Sequence, residues 1–228
     1  MSARSLRVCL INPNTTVAMT DTIRAAARAA AAPHVAIEAV TSPRGPAAIQ
    51  GPEDGEAAVP GLLEAIAAGD AAGHDVFVIA CFDDTGLEAA RAVTSRPVIG
   101  IGQAAFHLAM LRGGPFSVVT TLAVSVPVIE ANLARYGLGD ACRRVRASGV
   151  PVLALETDRA WAAARVSDEI ARAIAEDGCA AIVLGCAGMA PLVEELEARH
   201  RLPVVDGVVA ATRLAAAIAD ARPEGGAD

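Results

Sequence analysis

Two cysteines in matching surroundings are the residues of this sequence best placed to carry out chemistry. Cys81 follows the apolar run VFVIA and precedes a small polar turn, and Cys186 follows the run AIVLG in the same way. Paired thiols can move a proton on and off a carbon acid, because a thiolate removes it from one face while an opposing thiol delivers one to the other. The pair therefore indicates chemistry of the racemase or epimerase type.

The reactivity of each cysteine depends on how readily its thiol loses a proton. An ordinary thiol has a pKa of about 8.5, so only a small fraction is ionised near neutral pH. Cys81 and Cys186 both lie between an apolar run and a helix-forming stretch, where a helix N-terminus and its free N–H groups can stabilise a thiolate. The same N–H groups could hold a carbonyl oxygen as it becomes an enolate.

Neighbouring polar residues each have two possible roles. Asp83 and Asp84 could act as acid catalysts, although Asp84 is equally placed to cap a helix that begins at Thr85-Gly86-Leu87. Asn14 could bind a substrate or cap the helix that follows it. These alternatives cannot be separated from the residue types alone.

The composition excludes several classes of protein. All 19 basic residues are arginine. Without lysine, the chain has neither the phosphate-binding lysine of a Walker loop nor one that could hold pyridoxal phosphate as a Schiff base. A net charge of −7 and only 3% aromatic residues disfavour nucleic-acid binding. No cysteine and histidine spacing suits zinc, so we expect an enzyme that needs no cofactor or metal.

The sequence also bears on where the protein works. The first apolar run reaches Asn12 and Pro13 too soon for a secretory signal, and no apolar stretch is long enough for a membrane span. The chain has five cysteines, an odd number, and they are widely spaced, which favours free thiols over disulfide bonds. We expect a cytoplasmic protein with no membrane partner, in which Cys9, Cys142 and Cys179 are small buried hydrophobes.

Short β-branched runs alternate with longer stretches rich in alanine, leucine and arginine, a pattern typical of an α/β fold with parallel sheets. The predicted strands are Arg7 to Ile11, Val35 to Val40, Val76 to Ala80, Val98 to Ile101, Ser117 to Thr120, Arg143 to Ala147, Ala181 to Leu184 and Val204 to Val205. The predicted helices are Thr16 to Ala32, Gly55 to Ala72, Gly86 to Thr94, Ala104 to Arg112, Val126 to Tyr136, Asp158 to Asp177, Pro191 to His200 and Val208 to Ala221.

The chain contains a weak internal repeat. The units around Cys81 and Cys186 are each followed by a proline-led strand, at Pro97 and Pro203. Chance repetition of ordinary βα units is the alternative explanation. The repeat predicts two similar Rossmann-like lobes related by a pseudo-twofold axis.

The predicted lobes divide the chain unevenly. Residues 1–98 together with 208–228 form the first lobe, which carries Cys81, and residues 99–207 form the second, which carries Cys186. In open parallel sheets the binding crevice lies beyond the carboxyl ends of the strands. If the lobes face each other, the two cysteines approach one crevice from opposite sides, which places the active site in the cleft between the lobes.

Two other functions are compatible with parts of the sequence. The run Gly100-Ile-Gly102-Gln-Ala-Ala105 follows a strand and fits a G-x-G-x-x-A dinucleotide fingerprint, but no acidic residue follows at a strand end about 20 positions on. A dinucleotide-binding oxidoreductase therefore stays an alternative. A redox dithiol protein is disfavoured, because Cys81 and Cys186 lack C-x-x-C spacing.

At these motifs the sequence resembles the aspartate/glutamate/hydantoin racemase superfamily, and within it the hydantoin racemase branch, which includes allantoin racemases. The matching segments are Ile11-Asn-Pro-Asn-Thr15, Ala80-Cys-Phe-Asp-Asp84 with Gly86-Leu87, Val119-Thr-Thr-Leu122 with Ser125-Val-Pro127 and Glu130, Leu184-Gly-Cys-Ala-Gly-Met189, and Pro203-Val-Val-Asp-Gly207. The resemblance covers nearly the whole chain. It implies a homo-oligomeric, cofactor-independent racemase with Cys81 and Cys186 as opposing acid/base residues.

The resemblance also implies how a substrate is held. Asn14 and the Thr120-Thr121 turn are expected to bind its ring, and backbone N–H groups near Phe82, Asp83 and Ala187 are expected to bind its carbonyls. Gly185, beside Cys186, completes the expected set. The expected small-molecule substrate is a 5-monosubstituted hydantoin racemised at C5, with allantoin as the alternative.

Three positions depart from the branch pattern. Thr85 stands where proline is frequent, Gln103 where glutamate is common and Val124 where a basic residue is common. We expect none of them to touch the cysteines. Val124 bears on the rim of the expected pocket and leaves the choice between the two substrates open.

Overall fold

Eight parallel strands form two four-stranded sheets in the computed structural model, which describes residues 5–220. The strands are β1 (Leu6–Asn12), β2 (Val35–Thr41), β3 (Val76–Ile79), β4 (Val98–Gly100), β5 (Phe116–Thr120), β6 (Cys142–Ala147), β7 (Ala181–Gly185) and β8 (Val204–Asp206). Strands β3, β5 and β7 are buried along their whole length, as continuous apolar runs covered on both faces should be. All of the predicted strands are confirmed, and no strand end is shifted by more than one residue.

The helices cover the faces of the two sheets. They are α1 (Val17–Ala30), α2 (Pro52–Ala71), α3 (Leu87–Val93), α4 (Ile101–Leu111), α5 (Val126–Arg135), α6 (Ala154–Thr157), α7 (Arg159–Asp177), α8 (Val193–His200) and α9 (Gly207–Asp220). The one-turn helix α6 and three 3₁₀ segments were not predicted. Helix α2 begins three residues before the predicted Gly55, because Pro52 suits the first turn of a helix, where its missing N–H costs nothing.

The two sheets have the same topology. Their strand orders are β2-β1-β3-β4 and β6-β5-β7-β8, so β5 corresponds to β1 and β7 corresponds to β3. Equivalent strands therefore carry the two cysteines, since Cys81 comes shortly after β3 and Cys186 directly after β7. The predicted pair of similar α/β lobes with parallel sheets is confirmed.

Two helices join the lobes through a shared core. Helix α4 leaves the first sheet after β4, and α9 leaves the second sheet after β8 and packs against α4, α1 and strands of both sheets. Phe106 of α4 stacks on Phe116 of β5 with ring centroids 6.1 Å apart. Because β4 runs on to Gly100 within the first sheet, it crosses the predicted boundary at residue 98. The exact division of the chain into lobes stays a prediction.

A membrane span was not expected, and within residues 5–220 no helix combines the length and apolar character that crossing a bilayer requires.

Candidate active site

Both cysteines line one small cavity between the lobes. Of the site residues predicted from the sequence, Asn14, Cys81, Phe82, Asp83, Thr121, Gly185, Cys186 and Ala187 all contribute to its wall. The cavity has a volume of about 30 Å³, room for roughly two water molecules. The cleft is therefore nearly closed around the thiols in this conformation.

Cys81 is held by donors from its own loop. The Thr85 hydroxyl donates a hydrogen bond to Cys81 Sγ at 3.3 Å, so the expectation that Thr85 does not touch a cysteine is wrong. The backbone N–H of Asp83 also bonds the sulfur. Both bonds lower the pKa of the Cys81 thiol, but burial and the nearby Asp83 carboxylate outweigh them and raise the pKa well above the usual range. The backbone donors predicted from the sequence are present, yet they do not set the direction of the shift.

Cys186 directly precedes the 3₁₀ segment Ala187–Leu192, and the backbone N–H of Gly188 bonds its sulfur. Burial raises the pKa of Cys186 to about 12, and the carboxylates of Asp83, Asp206 and Glu156 contribute in the same direction. Each thiol is therefore protonated at neutral pH in the free protein. A catalytic thiolate would have to come from the small fraction of molecules in which one of the two thiols is ionised.

Asp83 lies beside both thiols. Its carboxylate accepts a hydrogen bond from Ser125 Oγ at 3.2 Å, and its carbonyl accepts one from Asn132 Nδ2 at 2.8 Å. Burial raises the pKa of Asp83 to about 6. Since Ser125 and Asn132 come from the second half of the chain, they fix the loop that carries Cys81 from across the cleft.

Asn14 shapes the turn before α1 but is not its N-cap, because that position is Thr16 and no side chain bonds there as a cap. Its Oδ1 accepts hydrogen bonds of 2.9 Å from Asn12 Nδ2 and from the backbone N–H of Thr16, which shapes the turn before α1. Its Nδ2 is left to face the sulfur of Met19 at 3.4 Å, and sulfur is a weak acceptor. Because Asn14 also lines the cavity, this amide nitrogen is a donor available to a ligand.

Backbone donors are also present at the cavity wall. Phe82 lines the cavity, and its N–H group bonds no other backbone carbonyl in the part of the chain that the structure describes. Such a group can hold a carbonyl oxygen on which negative charge develops.

Thr120, predicted to bind substrate, does not line the cavity. Its side chain is fully buried, and its hydroxyl donates a hydrogen bond of 2.9 Å to the Gly185 carbonyl. This bond ties β5 to β7 beneath the site, which is why the hydroxyl is turned away from the cleft. Only Thr121 of the predicted pair reaches the wall.

Asp84 is a helix cap, but for a different helix from the one predicted. Its carboxylate accepts hydrogen bonds from the N–H groups of Gly102 at 2.9 Å and Gln103 at 2.8 Å, at the start of α4. The Tyr136 hydroxyl donates a further bond of 2.8 Å. Asp84 is 3% exposed and does not line the cavity, so the alternative of an acid catalyst is not supported by its position.

The same capping explains the glycines of the dinucleotide-like run. A side chain at Gly100 would overlap the Asp84 carboxylate, and one at Gly102 would overlap the Phe82 carbonyl and approach Asp84. The glycines make room for Asp84, which occupies the N–H groups that a pyrophosphate would need. The start of α4 therefore has no free anion site.

The sequence did not reveal the apolar part of the wall. Met19, Ile49 and Val152 line the cavity together with Ser125. Ile49 and Val152 lie in irregular loops, where no hydrophobic period marks a residue as inward-facing. Ser125 belongs to a segment noted in the sequence, but its bond to Asp83 depends on how the lobes meet.

No metal centre accompanies the thiols. Among residues 5–220, no group of three or more histidine, cysteine, aspartate or glutamate side chains is arranged to hold a metal ion. The site offers two thiols, a carboxylate, an amide and backbone N–H groups, a set suited to moving protons on a carbon acid.

Two similar α/β lobes with one cysteine each at a shared cleft define a class of proton-transferring isomerases. The chain belongs to the Asp/Glu/hydantoin racemase family, whose model matches residues 8–215. It is 47% identical to the hydantoin racemase of Rhizobium meliloti over 213 residues, covering 93% of this chain and 88% of that protein.

Solved structures of allantoin racemases are also similar. The one from Klebsiella pneumoniae superposes with a TM-score of 0.92 at 46% identity, covering 95% of this chain and 88% of that chain. The one from Pseudomonas fluorescens superposes with a TM-score of 0.90 at 35% identity, covering 98% and 99%. The protein is therefore an isomerase of the racemase class, as the sequence predicted.

Proposed function

We propose that this protein is a cofactor-independent racemase of 5-monosubstituted hydantoins that uses Cys81 and Cys186 as its two acid/base groups. The observation that carries the proposal is the placement of both cysteines, after equivalent strands of the two lobes, on the wall of one cavity. The similarity to hydantoin racemases supports the choice of substrate class.

The reaction begins when one thiolate removes the proton from C5 of the ring. The electron pair left on C5 moves into the adjacent C4 carbonyl, giving an enolate, for which the backbone N–H of Phe82, a residue of the cavity wall, is the proposed donor. The opposing thiol then donates its proton to the other face of C5 and becomes a thiolate. One proton leaves and one is gained, so no metal or electron carrier is required.

The cavity wall favours an apolar 5-substituent. Met19, Ile49 and Val152 present apolar groups to the site. Allantoin carries a ureido group at C5, which would need polar partners. Asn14, Asp83 and Ser125 supply some polarity, and the allantoin racemase structures keep allantoin as the second candidate.

The test follows each enantiomer of 5-benzylhydantoin and of allantoin in D2O with a chelator present. Polarimetry measures inversion and proton NMR measures deuterium at C5. We expect a higher kcat/KM for benzylhydantoin. A higher value for allantoin would reverse the substrate assignment, and no inversion or exchange of either compound would reject the proposed function. A reaction without enzyme corrects for spontaneous racemisation.

We also propose, from the resemblance to the family, a homo-oligomer in the cytoplasm that acts on a small molecule. Light scattering coupled to gel filtration measures its mass against that of the 23.0 kDa chain. A monomeric mass would reject the oligomer.

A further inference from the structure

The hydroxyl of Thr85 is the side-chain donor to Cys81. It bonds Cys81 Sγ at 3.3 Å, and Thr85 is 8% exposed, so little water competes at this point. A thiol sulfur is a weak acceptor, whereas a thiolate accepts a charge-assisted bond. The bond is therefore stronger when Cys81 is ionised, and it favours that form.

The second thiol has no counterpart to this bond. Thr85 lies four positions after Cys81, and the residue four positions after Cys186 is Ala190, which has no hydroxyl. Among the groups that the structure describes, the donor that lowers the pKa of Cys186 is the backbone N–H of Gly188. The two cysteine loops, otherwise alike, differ at this position.

The charges around Cys81 show what the additional donor offsets. Asp83 on its own loop and Cys186 across the cavity both oppose its ionisation, and they add to the effect of burial, which raises its pKa. A racemase must use each thiol as the base in one direction. If one thiol were far less ready to ionise than the other, the pair would spend nearly all of its time in one of its two working states.

We propose that Thr85 is a positioning residue that orients Cys81 Sγ and stabilises its thiolate, which brings the two thiols closer in basicity. The inference rests on the proposed two-thiol function. It predicts that the first lobe depends on a side-chain hydroxyl at a point where the second lobe does not.

The test measures the rate at which iodoacetamide modifies each cysteine as a function of pH, with peptide mass spectrometry to separate Cys81 from the others. In Thr85→Val, the Cys81 profile should move up by about one pH unit, so that modification near pH 8 slows about tenfold. Thr85→Ser should restore the profile. Thr94→Val is the matched control, because it removes a hydroxyl bonded to Asp70 away from the cavity.

An unshifted Cys81 profile in Thr85→Val would overturn the proposal. A Thr85→Ser profile that matches Thr85→Val would also overturn it, since the methyl group and not the hydroxyl would then be responsible. Circular dichroism and thermal melting check that the variants fold, and Thr85→Ala replaces Thr85→Val if the valine does not fit.

The labelling experiment does not depend on turnover. A shifted profile in a protein that racemises no hydantoin would reject the proposed function and leave the role of Thr85 in thiolate stabilisation standing. In an active enzyme, Thr85→Val should lower kcat/KM about three- to tenfold for both enantiomers alike, because their free energies are equal. An active enzyme with an unshifted profile would reject the Thr85 proposal alone.

Discussion

The backbone N–H of Val152 donates a hydrogen bond of 3.0 Å to Gln50 Oε1, joining a loop of the first lobe to a loop of the second across the cavity. Gln50 is anchored in turn, because its own N–H bonds the Asp54 carboxylate at 3.0 Å. Ile49 and Val152, the neighbours of this bond, line the cavity. A cavity of about 30 Å³ leaves little room for a five-membered ring, and we expect these loops to separate when a substrate enters.

Gln50→Ala should weaken closure of the loops over the bound ring. Loss of one hydrogen bond, worth about 1 kcal/mol, should lower kcat/KM about fivefold, mostly through KM. Steady-state kinetics with benzylhydantoin measures the change. Gln103→Ala, which removes a surface bond to Arg91, is the control and should leave the kinetics unchanged. Equal kinetics for Gln50→Ala and the parent enzyme would show that this bond does not contribute to closure.

Cys81→Ser and Cys186→Ser should each lower inversion by at least about 10³-fold, because a serine hydroxyl is far too weak an acid to share the proton transfers. The remaining thiol can still remove a proton from one enantiomer and return deuterium to the same face. We expect the two variants to exchange the C5 proton of different enantiomers for deuterium. Proton NMR in D2O measures this exchange. Cys142→Ser, in β6, is the matched control. Full inversion by either active-site variant contradicts the two-base mechanism.

The raised thiol pKa values fix the sign of the pH dependence. The working pair carries one thiolate and one thiol, and burial raises the pKa of Cys186 to about 12 and raises that of Cys81 well above its usual range. The thiolate fraction therefore grows about tenfold per pH unit below these values. We expect kcat/KM to increase steadily from pH 6 to pH 9. Polarimetric assays at each pH measure kcat/KM. A plateau of kcat/KM near pH 7 would show that the thiols ionise more easily than their burial implies.

Asp84→Ala should act on stability before it acts on chemistry. It leaves the N–H groups of Gly102 and Gln103 and the Tyr136 hydroxyl without their acceptor. Buried donors left unpaired cost about 1–3 kcal/mol each, so with three donors freed the free energy of unfolding should fall by about 3 kcal/mol or more. Urea denaturation measures it, with exposed Asp140→Ala as the control expected within about 0.5 kcal/mol of the parent. Unchanged stability with lost racemisation would instead place Asp84 in the reaction.

The sequence was sufficient to identify the residues that follow the strand ends and line the cleft. Cys81 and Cys186 could be placed because buried parallel strands have a clear pattern and their carboxyl ends meet at one edge. The residue type of Asp84 indicates a cap, but the helix that it caps begins 17 residues later, at Ile101, and only the folded chain brings the two together.

The rest of the site depends on how the lobes meet. Ile49 and Val152 lie in loops without periodicity, and nothing in their neighbours indicates that they face each other across a cavity. The direction of the thiol pKa shifts was missed for the same reason. A local turn reveals the backbone donors near each sulfur, whereas the burial that raises the pKa of each thiol is a property of the complete fold.

The position of α9 has a consequence for the order in which the protein can be made. Its buried residues Val208, Ala211 and Ala215 belong to the same core as Ile23 of α1 and Val78 of β3, although they follow the last strand of the second sheet in the chain. The first sheet therefore lacks part of its covering until α9 has been made. We expect a nascent chain that ends after β8 to expose apolar surface and to be a client for chaperones, so that the two lobes mature together when α9 docks.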